Sequence, residues 1–577
     1  MPLRSEARRW TWVESAVLAG YAIVVALGIA WHEPWADEAQ AWLLARDQGF
    51  WRLMLHAVRY EGSPGLWHAL LWVLARLHFG YIGMHWVAGA FAAAGVFVLL
   101  RWSPFPLILR VLLPFGFWLA YQNAVIARGY VLFALLAFSA AALIRNMSAN
   151  NLRPMPDGKD SARSSTLIWL AVILGLMTNL SVHGFVASFG FAIAVWPVLR
   201  RRTRAGSPVR KTTPALILGS FWLFAVATTL PPSDVNLAAG KNLERSTEKI
   251  WASFGDKYAK SQLAADHTGG VRPGELTSAP PLEFHRAGAE ALWHKFARVL
   301  SLLTFPISNF RWLALAVCVL IVAQALAFRP VPDAPQLGWI GLLPWALMVL
   351  VFTSIYMAPR HAGMLWVALV ASLWLTWPET RPETLSSGSV TASRKLWLHR
   401  ITLVLLVLVA LDQAWWTAHS VWADVHQPYS GDVAMAKFLE SQPPGQRIAG
   451  FYYDTVGPAA FIRHKVYFNQ PTAYWVWTRK LRTNQQAPAT IVTHPDLIVV
   501  GAFDWGAGDG SITDDWIAPN LSELNRVPLN DLFGIVPYAE AHGYRETHRF
   551  CGHAFMRDGY SEYLCQIALE PAQNPIH

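Results

Sequence analysis

Charge is what this chain has least of. Only 15% of its 577 residues are Asp, Glu, Lys or Arg, against 54% hydrophobic, where a soluble chain of this length carries roughly 25% charged. That shortage excludes an ordinary soluble domain. Cysteine is scarce too: three residues say little about metals. Cys318 lies in an apolar run and reads as a small core residue. No internal repeat is visible, which speaks against an inverted-repeat transporter. The C-terminal part has no glycine-rich phosphate loop. The first apolar run, Val13–Ala30, lacks a clear cleavage site and reads as an uncleaved anchor.

What is present is a series of apolar runs, most of them long enough for a hydrocarbon core of about 30 Å. After the first they are Pro64–Phe79, Ile82–Leu100, Phe105–Tyr121, Tyr130–Leu143, Leu167–Val182, Gly184–Leu199, Pro214–Leu230, Phe310–Phe328, Leu337–Met357, Gly363–Trp377 and Leu396–Trp416. The class is therefore a mainly α, polytopic membrane protein. The net charge of +10 does not call for a nucleic-acid partner. Its basic residues cluster in short loops, as the positive-inside rule requires of cytoplasmic ones. These are Arg145–Arg163, Arg200–Lys211 and Arg381–Arg400.

One run sets the parity. If Pro64–Phe79 spans, the cluster Arg200–Arg204 lands outside; if it lies in the outer interface, every basic loop falls inside. It is short and interrupted by His68, Arg76 and His78, so the interfacial reading is better. About eleven spans remain. The N-terminus is then cytoplasmic. The outer segments are Trp31–Tyr81, Gln122–Gly129, the hinge at His183, the loop Pro231–Asn309, Ala358–His361 and everything after Trp416. The loop is long and polar, the kind that often covers an active site.

Residues 1–416 thus form a transmembrane domain and 417–577 a small extracytoplasmic α/β domain. Asp432–Ser441 is predicted helical, with Ala434, Phe438 and Leu439 on one face. Arg447–Tyr453 and Asp496–Ala502 are predicted strands. Tyr544–Gly552 and Tyr563–Leu569 suit a terminal hairpin that Cys551 and Cys565 would bridge if the tail is outside. Asp504–Asp515 reads as a solvated loop, its spacing unlike a calcium loop.

The outer face collects acids and bases from distant segments. The first loop holds Asp37, Glu38, Gln40, His56, Arg59 and Glu61. The turn after the third span holds Gln122, Asn123, Arg128 and then Tyr130. His183 sits at a short hinge, and Arg360-His361 between two spans. Arg binds phosphate bidentately, and a carboxylate can take a proton from an attacking hydroxyl. Together they suit displacement at a carbon whose leaving group is a lipid-linked phosphate. Simpler structural readings exist for each. Glu38 suits a helix's first turn. Arg128 and Arg360 suit interfacial anchors. His183 suits a hinge bonded to backbone, and His56, Arg59 and Glu61 a helical salt-bridge cluster.

The acidic pair after a single span, in Trp35-Ala36-Asp37-Glu38-Ala39-Gln40, resembles the GT-C superfamily of membrane glycosyltransferases. The superfamily includes the protein O-mannosyltransferases and the lipid A aminoarabinose transferases. Glu61-Gly62-Ser63-Pro64-Gly65-Leu66-Trp67-His68 stands where such enzymes have a Pro-rich juxtamembrane segment. In the second outer motif Arg128 is present but the family's second acid is absent, which leaves use of a divalent cation open. Arg360-His361 stands in place of a late Arg-Tyr pair. The resemblance implies sugar transfer from a polyprenyl-phosphate donor to a glycan, lipid or protein acceptor, outside the cytoplasmic membrane and with inversion. It implies Asp37 as base and Glu38 as its orienter. Arg128, Arg360, His361 and His183 would meet the phosphate. His56, Arg59, Glu61, Gln122, Asn123 and Tyr130 are the candidates for positioning acceptor or donor. The rivals are a transporter or flippase, an assembly subunit, and a polymerase or ligase using a lipid diphosphate.

Overall fold

The structure is a computed structural model. It describes residues 10–150, 160–204, 212–230, 232, 296, 299–300, 311–328, 337–354, 361–378, 390–470, 487–504, 535–554 and 562–572. Arg360, nearly all of the expected loop Pro231–Asn309 and most of Asp504–Asp515 lie outside them.

Among the described residues six helices are long and apolar enough to cross a membrane: Trp12–Trp31, Gly83–Trp102, Tyr130–Ala149, Val182–Leu199, Thr212–Thr229 and Ser393–His426. Shorter apolar helices lie between them, and a four-stranded sheet closes the chain. The protein is a mainly α polytopic membrane protein with a small C-terminal sheet domain. In chain order the elements that frame the site are α1 (Trp12–Trp31), α2 (Ala36–Asp47), α3 (Leu66–Arg76), α4 (Gly83–Trp102) and α5 (Leu107–Leu112). After them come α6 (Tyr130–Asn150), α7 (Asp160–Thr178), α8 (Val182–Arg204) and α9 (Thr212–Thr229). The last four are α10 (Arg311–Ala327), α11 (Leu343–Ser354), α12 (Ala362–Thr376) and α13 (Val390–His426).

The run Pro64–Phe79 yields α3, whose 11 residues extend about 16 Å, half a hydrocarbon core. It buries Trp67, His68, Leu71 and Leu74. Its Arg76 donates to the carbonyls of Arg46 and Gln48, and the Trp72 indole also donates to Gln48. These bonds satisfy carbonyls that the end of α2 leaves open.

The expected span Phe105–Tyr121 is not one helix. It breaks into α5, a tight turn at Leu113–Phe115 and a wide turn at Trp118–Gln122. Pro106 precedes the first piece, and Pro114 and Gly116 interrupt the next. Irregular backbone at this depth is tolerated when protein surrounds it, and residues 117–127 are all buried.

Helices α6 and α12 run the same way. Tyr130, opening α6, meets His361, the N-cap of α12. Arg145, near the far end of α6, donates to the carbonyls of Trp374 and Trp377. His399 of α13 packs on Trp377 at that far end, and α13 returns to bring Asp424 against His32. The C-terminal ends of α6 and α12 therefore lie at the end opposite Asp37. Helix α13 also continues ten residues past Trp416, so Ala418–His426 is helix rather than the start of the tail's own elements.

The tail adds α14 (Asp432–Glu440), β1 (Ile448–Phe451), α15 (Val456–Phe461), β2 (Leu497–Asp504), β3 (Tyr544–Ala554) and β4 (Glu562–Pro571). The sheet order is β1-β2-β4-β3, with β1 parallel to β2 and the other pairs antiparallel. Cys551 lies opposite Cys565 and is disulfide-bonded to it. The expected face of α14 needs correction. Ala434 is exposed, and Asp432, Met435, Ala436 and Leu439 are buried. That is the i, i+3, i+4, i+7 stripe of a one-sided helix.

Candidate active site at the first-loop helix

Helix α2 begins where α1 ends, after Pro34. Trp35 is its N-cap, and the Glu38 carboxylate reaches back to the Trp35 N–H at 3.2 Å. Asp37 and Glu38 stand in the first turn, where the helix dipole favours acids, and Arg46 in the last. Arg46 also donates to the carbonyls of Ala460 and Ile462, so the tail packs directly on α2.

The two neighbouring acids face different surroundings. Asp37 pairs with Arg128 across 2.8 Å, and the side chains remain 10% and 25% exposed. Glu38 is fully buried. It accepts from the Ala127 N–H at 2.5 Å and faces His32 at 3.4 Å and His85 at 3.5 Å. Burial alone would raise its pKa, but His85, His32 and the Ala127 N–H hold it below the ordinary value. Glu38 thus fastens the turn that presents Arg128 to Asp37.

From Arg128 a line of rings leads along the same end of the bundle. The guanidinium lies 5.7 Å from the Tyr130 ring. Tyr130 meets His361 edge-on at 5.4 Å, and His361 lies 4.7 Å from His183, in the first turn of α8. Asp37, Arg128, Tyr130, His361 and His183, drawn from four distant segments, are brought together. Asn123 is buried against Gly363 in the first turn of α12, where a Cβ would lie 2.5 Å from its Oδ1. Gln122 is buried nearby in the chain.

The first-loop candidates divide. Gln40, one turn on from Asp37, donates to Glu61. Arg59 donates to the Leu230 carbonyl at the end of α9, and His56 packs on Tyr60. Among the described residues no three His, Cys, Asp or Glu side chains gather where a metal ion could be held.

Several polar residues around the site were not anticipated. His32 contacts Asp424 at 3.2 Å, and Tyr121 donates to the same carboxylate oxygen at 2.8 Å. Burial alone would lower the His32 pKa; Asp424 and Glu38 instead raise it to about 10. His85 contacts the Val125 carbonyl at 3.1 Å. His68 is buried beside α2, and burial, with Arg128 adding to it, lowers its pKa to about 4. Glu33 accepts from the Val433 N–H at 2.6 Å, so a first-loop acid caps tail helix α14, and burial raises its pKa to about 7. The signals available were His32 and Glu33 flanking the acidic pair, and Asp424 in an apolar helix.

No protein-family model and no curated protein matches the chain. Its architecture is similar to solved structures of ArnT from Cupriavidus metallidurans. The one bound to undecaprenyl phosphate is 10% identical, with a TM-score of 0.45 over 96% of this chain and 97% of that chain. The apo-state structure is 11% identical, with a TM-score of 0.48 over 84% of this chain and 92% of that one. With about one residue in ten identical, what this site does is read from its own geometry.

Proposed function

We propose that the chain is an integral-membrane glycosyltransferase that moves a sugar from a polyprenyl-phosphate donor to an acceptor hydroxyl at the outer membrane face. The observation that carries this reading is the partly exposed Asp37–Arg128 pair at the start of α2, backed by Tyr130, His361 and His183. A carboxylate beside a guanidinium supplies both parts of a displacement at an anomeric carbon. Asp37 takes the acceptor hydroxyl proton as its oxygen attacks. The bond between the anomeric carbon and the phosphate oxygen breaks, and Arg128 meets the charge left on the lipid phosphate. His361 and His183 border that charge, and Arg360 is assigned to it from its place beside His361 in the sequence. Attack opposite the phosphate inverts the anomeric carbon.

The pairing also orders the steps. While Arg128 holds the Asp37 carboxylate, an acceptor hydroxyl must compete with the guanidinium for it. A donor phosphate that engages Arg128 loosens that pair when the leaving group is in place. Membrane lipid accommodates the donor's tail, and the outer placement fits the Cys551–Cys565 disulfide, since such bonds persist in oxidising compartments.

The test is a screen of purified protein against polyprenyl-phosphate sugars, scoring release of free polyprenyl phosphate with Asp37→Asn as control. Turnover by the unaltered chain alone supports the reading. No consumption of any lipid-linked sugar defeats it.

A further inference from the structure

Asp424 lies near the end of α13, and His32 at the C-cap of α1; they are separated by 392 positions yet touch at 3.2 Å. His32 has one ring nitrogen on Asp424 and the other on Glu38. A neutral imidazole donates from only one nitrogen. A ring with a carboxylate at each nitrogen satisfies both only as the imidazolium. All three side chains are at most 1% exposed.

The two carboxylates also grip the two ends of one turn. Asp424 accepts from the Tyr121 hydroxyl, just before the turn at residues 122–129. Glu38 accepts from the Ala127 N–H, one residue before Arg128. His85 reaches the Val125 carbonyl in the middle. The Tyr429 ring, in the link to the tail, lies 4.6 Å from His32. Backbone bonds from the Ala124 and Val125 N–H to the Tyr121 carbonyl shape the start of the turn, and Glu38 and His85 satisfy the Ala127 N–H and the Val125 carbonyl beyond it.

We propose that His32, bridging Asp424 and Glu38, is a positioning residue that holds the Arg128 turn in register with Asp37. Its role in phosphate binding rests on the transferase reading above; its hold on the turn does not. His32 touches no reacting group. It acts through Glu38, and it makes the end of α13 part of the same unit.

The experiment uses the purified full chain and two readouts. Hydrogen exchange is followed at peptides covering residues 122–130. Affinity is measured for undecaprenyl phosphate and for undecaprenol, whose ratio reports the grip on the phosphate alone. In His32→Gln and Asp424→Asn the segment is expected to exchange about tenfold faster or more, and the affinity ratio to fall by a similar factor. The double variant should be no worse than either single one. Tyr121→Phe, which removes one hydroxyl, should show a smaller change in the same direction, and it tests the bridge should the charge variants fail to fold. A folded His32→Gln with unchanged exchange and ratio overturns the proposal. So does a loss of melting temperature with both the exchange of that segment and the ratio intact, because that marks a purely structural residue. If the unaltered chain does not prefer the phosphate yet exchange responds as expected, the bridge stands and the transferase reading falls.

Discussion

Asp37 and Glu38 are adjacent in the chain and meet different neighbours. The Asp37 side chain keeps a tenth of its surface exposed and pairs with a guanidinium that is a quarter exposed. Glu38 is sealed, with an N–H, two histidine rings and its own helix cap as partners. A group that exchanges a proton with a substrate must be reachable and able to lose its partner. A group that fixes a backbone turn must be neither. Under the proposed transfer, the contrast gives chemistry to the first acid and architecture to the second.

That division predicts distinct failures. Replacing Asp37 with Asn should cost the most, about 10²–10⁴-fold in turnover, with melting temperature nearly unchanged. Transfer assays and thermal denaturation of the same preparation check it. Activity close to the original would return Asp37 to the role of a helix-start acid. Glu38→Gln should instead destabilise the fold, by about 1–3 kcal/mol, because it takes the carboxylate from one buried His32 nitrogen while Asp424 still holds the other. A denaturation series reads this, and a stable but inactive variant would move Glu38 to the chemical side of the comparison.

The tail's dock extends the sealed region and gives it a pH dependence. Burial raises Glu33 to about 7 from its ordinary 4.5. The folded state therefore holds a proton that the unfolded chain has released between those values. Stability falls as pH rises through that window and is flat above it. The loss amounts to up to about 3 kcal/mol. Melting curves at pH 5 and pH 8 should differ in the original chain, and the difference should shrink in Glu33→Gln. An equal pH dependence in both would place its source elsewhere. The smallest effect is expected at Gly363. Its Cβ position is taken by the Asn123 amide, so Gly363→Ala must push Asn123 aside, at about 1–3 kcal/mol. Turnover should drop several-fold as the start of α12 shifts against the Arg128 turn. Unaltered kinetics would separate Asn123 from the site.

What was legible in the sequence follows from periodicity and charge. The apolar runs became helices because runs of that length have few other ways to satisfy their backbone. Charge parity set Asp37, Arg128, His183 and His361 at one end because it constrains every loop at once. The terminal hairpin was readable from two strand patterns with a cysteine in each, and the disulfide followed. The broken segment after Pro106 was not foreseen, although its prolines were visible, because hydropathy alone cannot separate a span from irregular chain buried in protein. The misplaced face of α14 came from taking Ala434 for a core residue, when a small side chain fits either face. The least legible feature was the His32–Asp424 contact. No local pattern joins residues on the first and last described apolar helices, and Asp424 was read as part of the tail.

In the proposed reaction Arg128 holds the phosphate while Asp37 handles the proton. Equilibrium binding of undecaprenyl phosphate to the original chain, Arg128→Gln and Asp37→Asn tests this directly. Arg128→Gln should lose about tenfold or more in affinity, while Asp37→Asn should bind at least as tightly as the original because the guanidinium is released from its partner. Equal losses in both variants, or no loss in Arg128→Gln, would contradict the division of labour at this site.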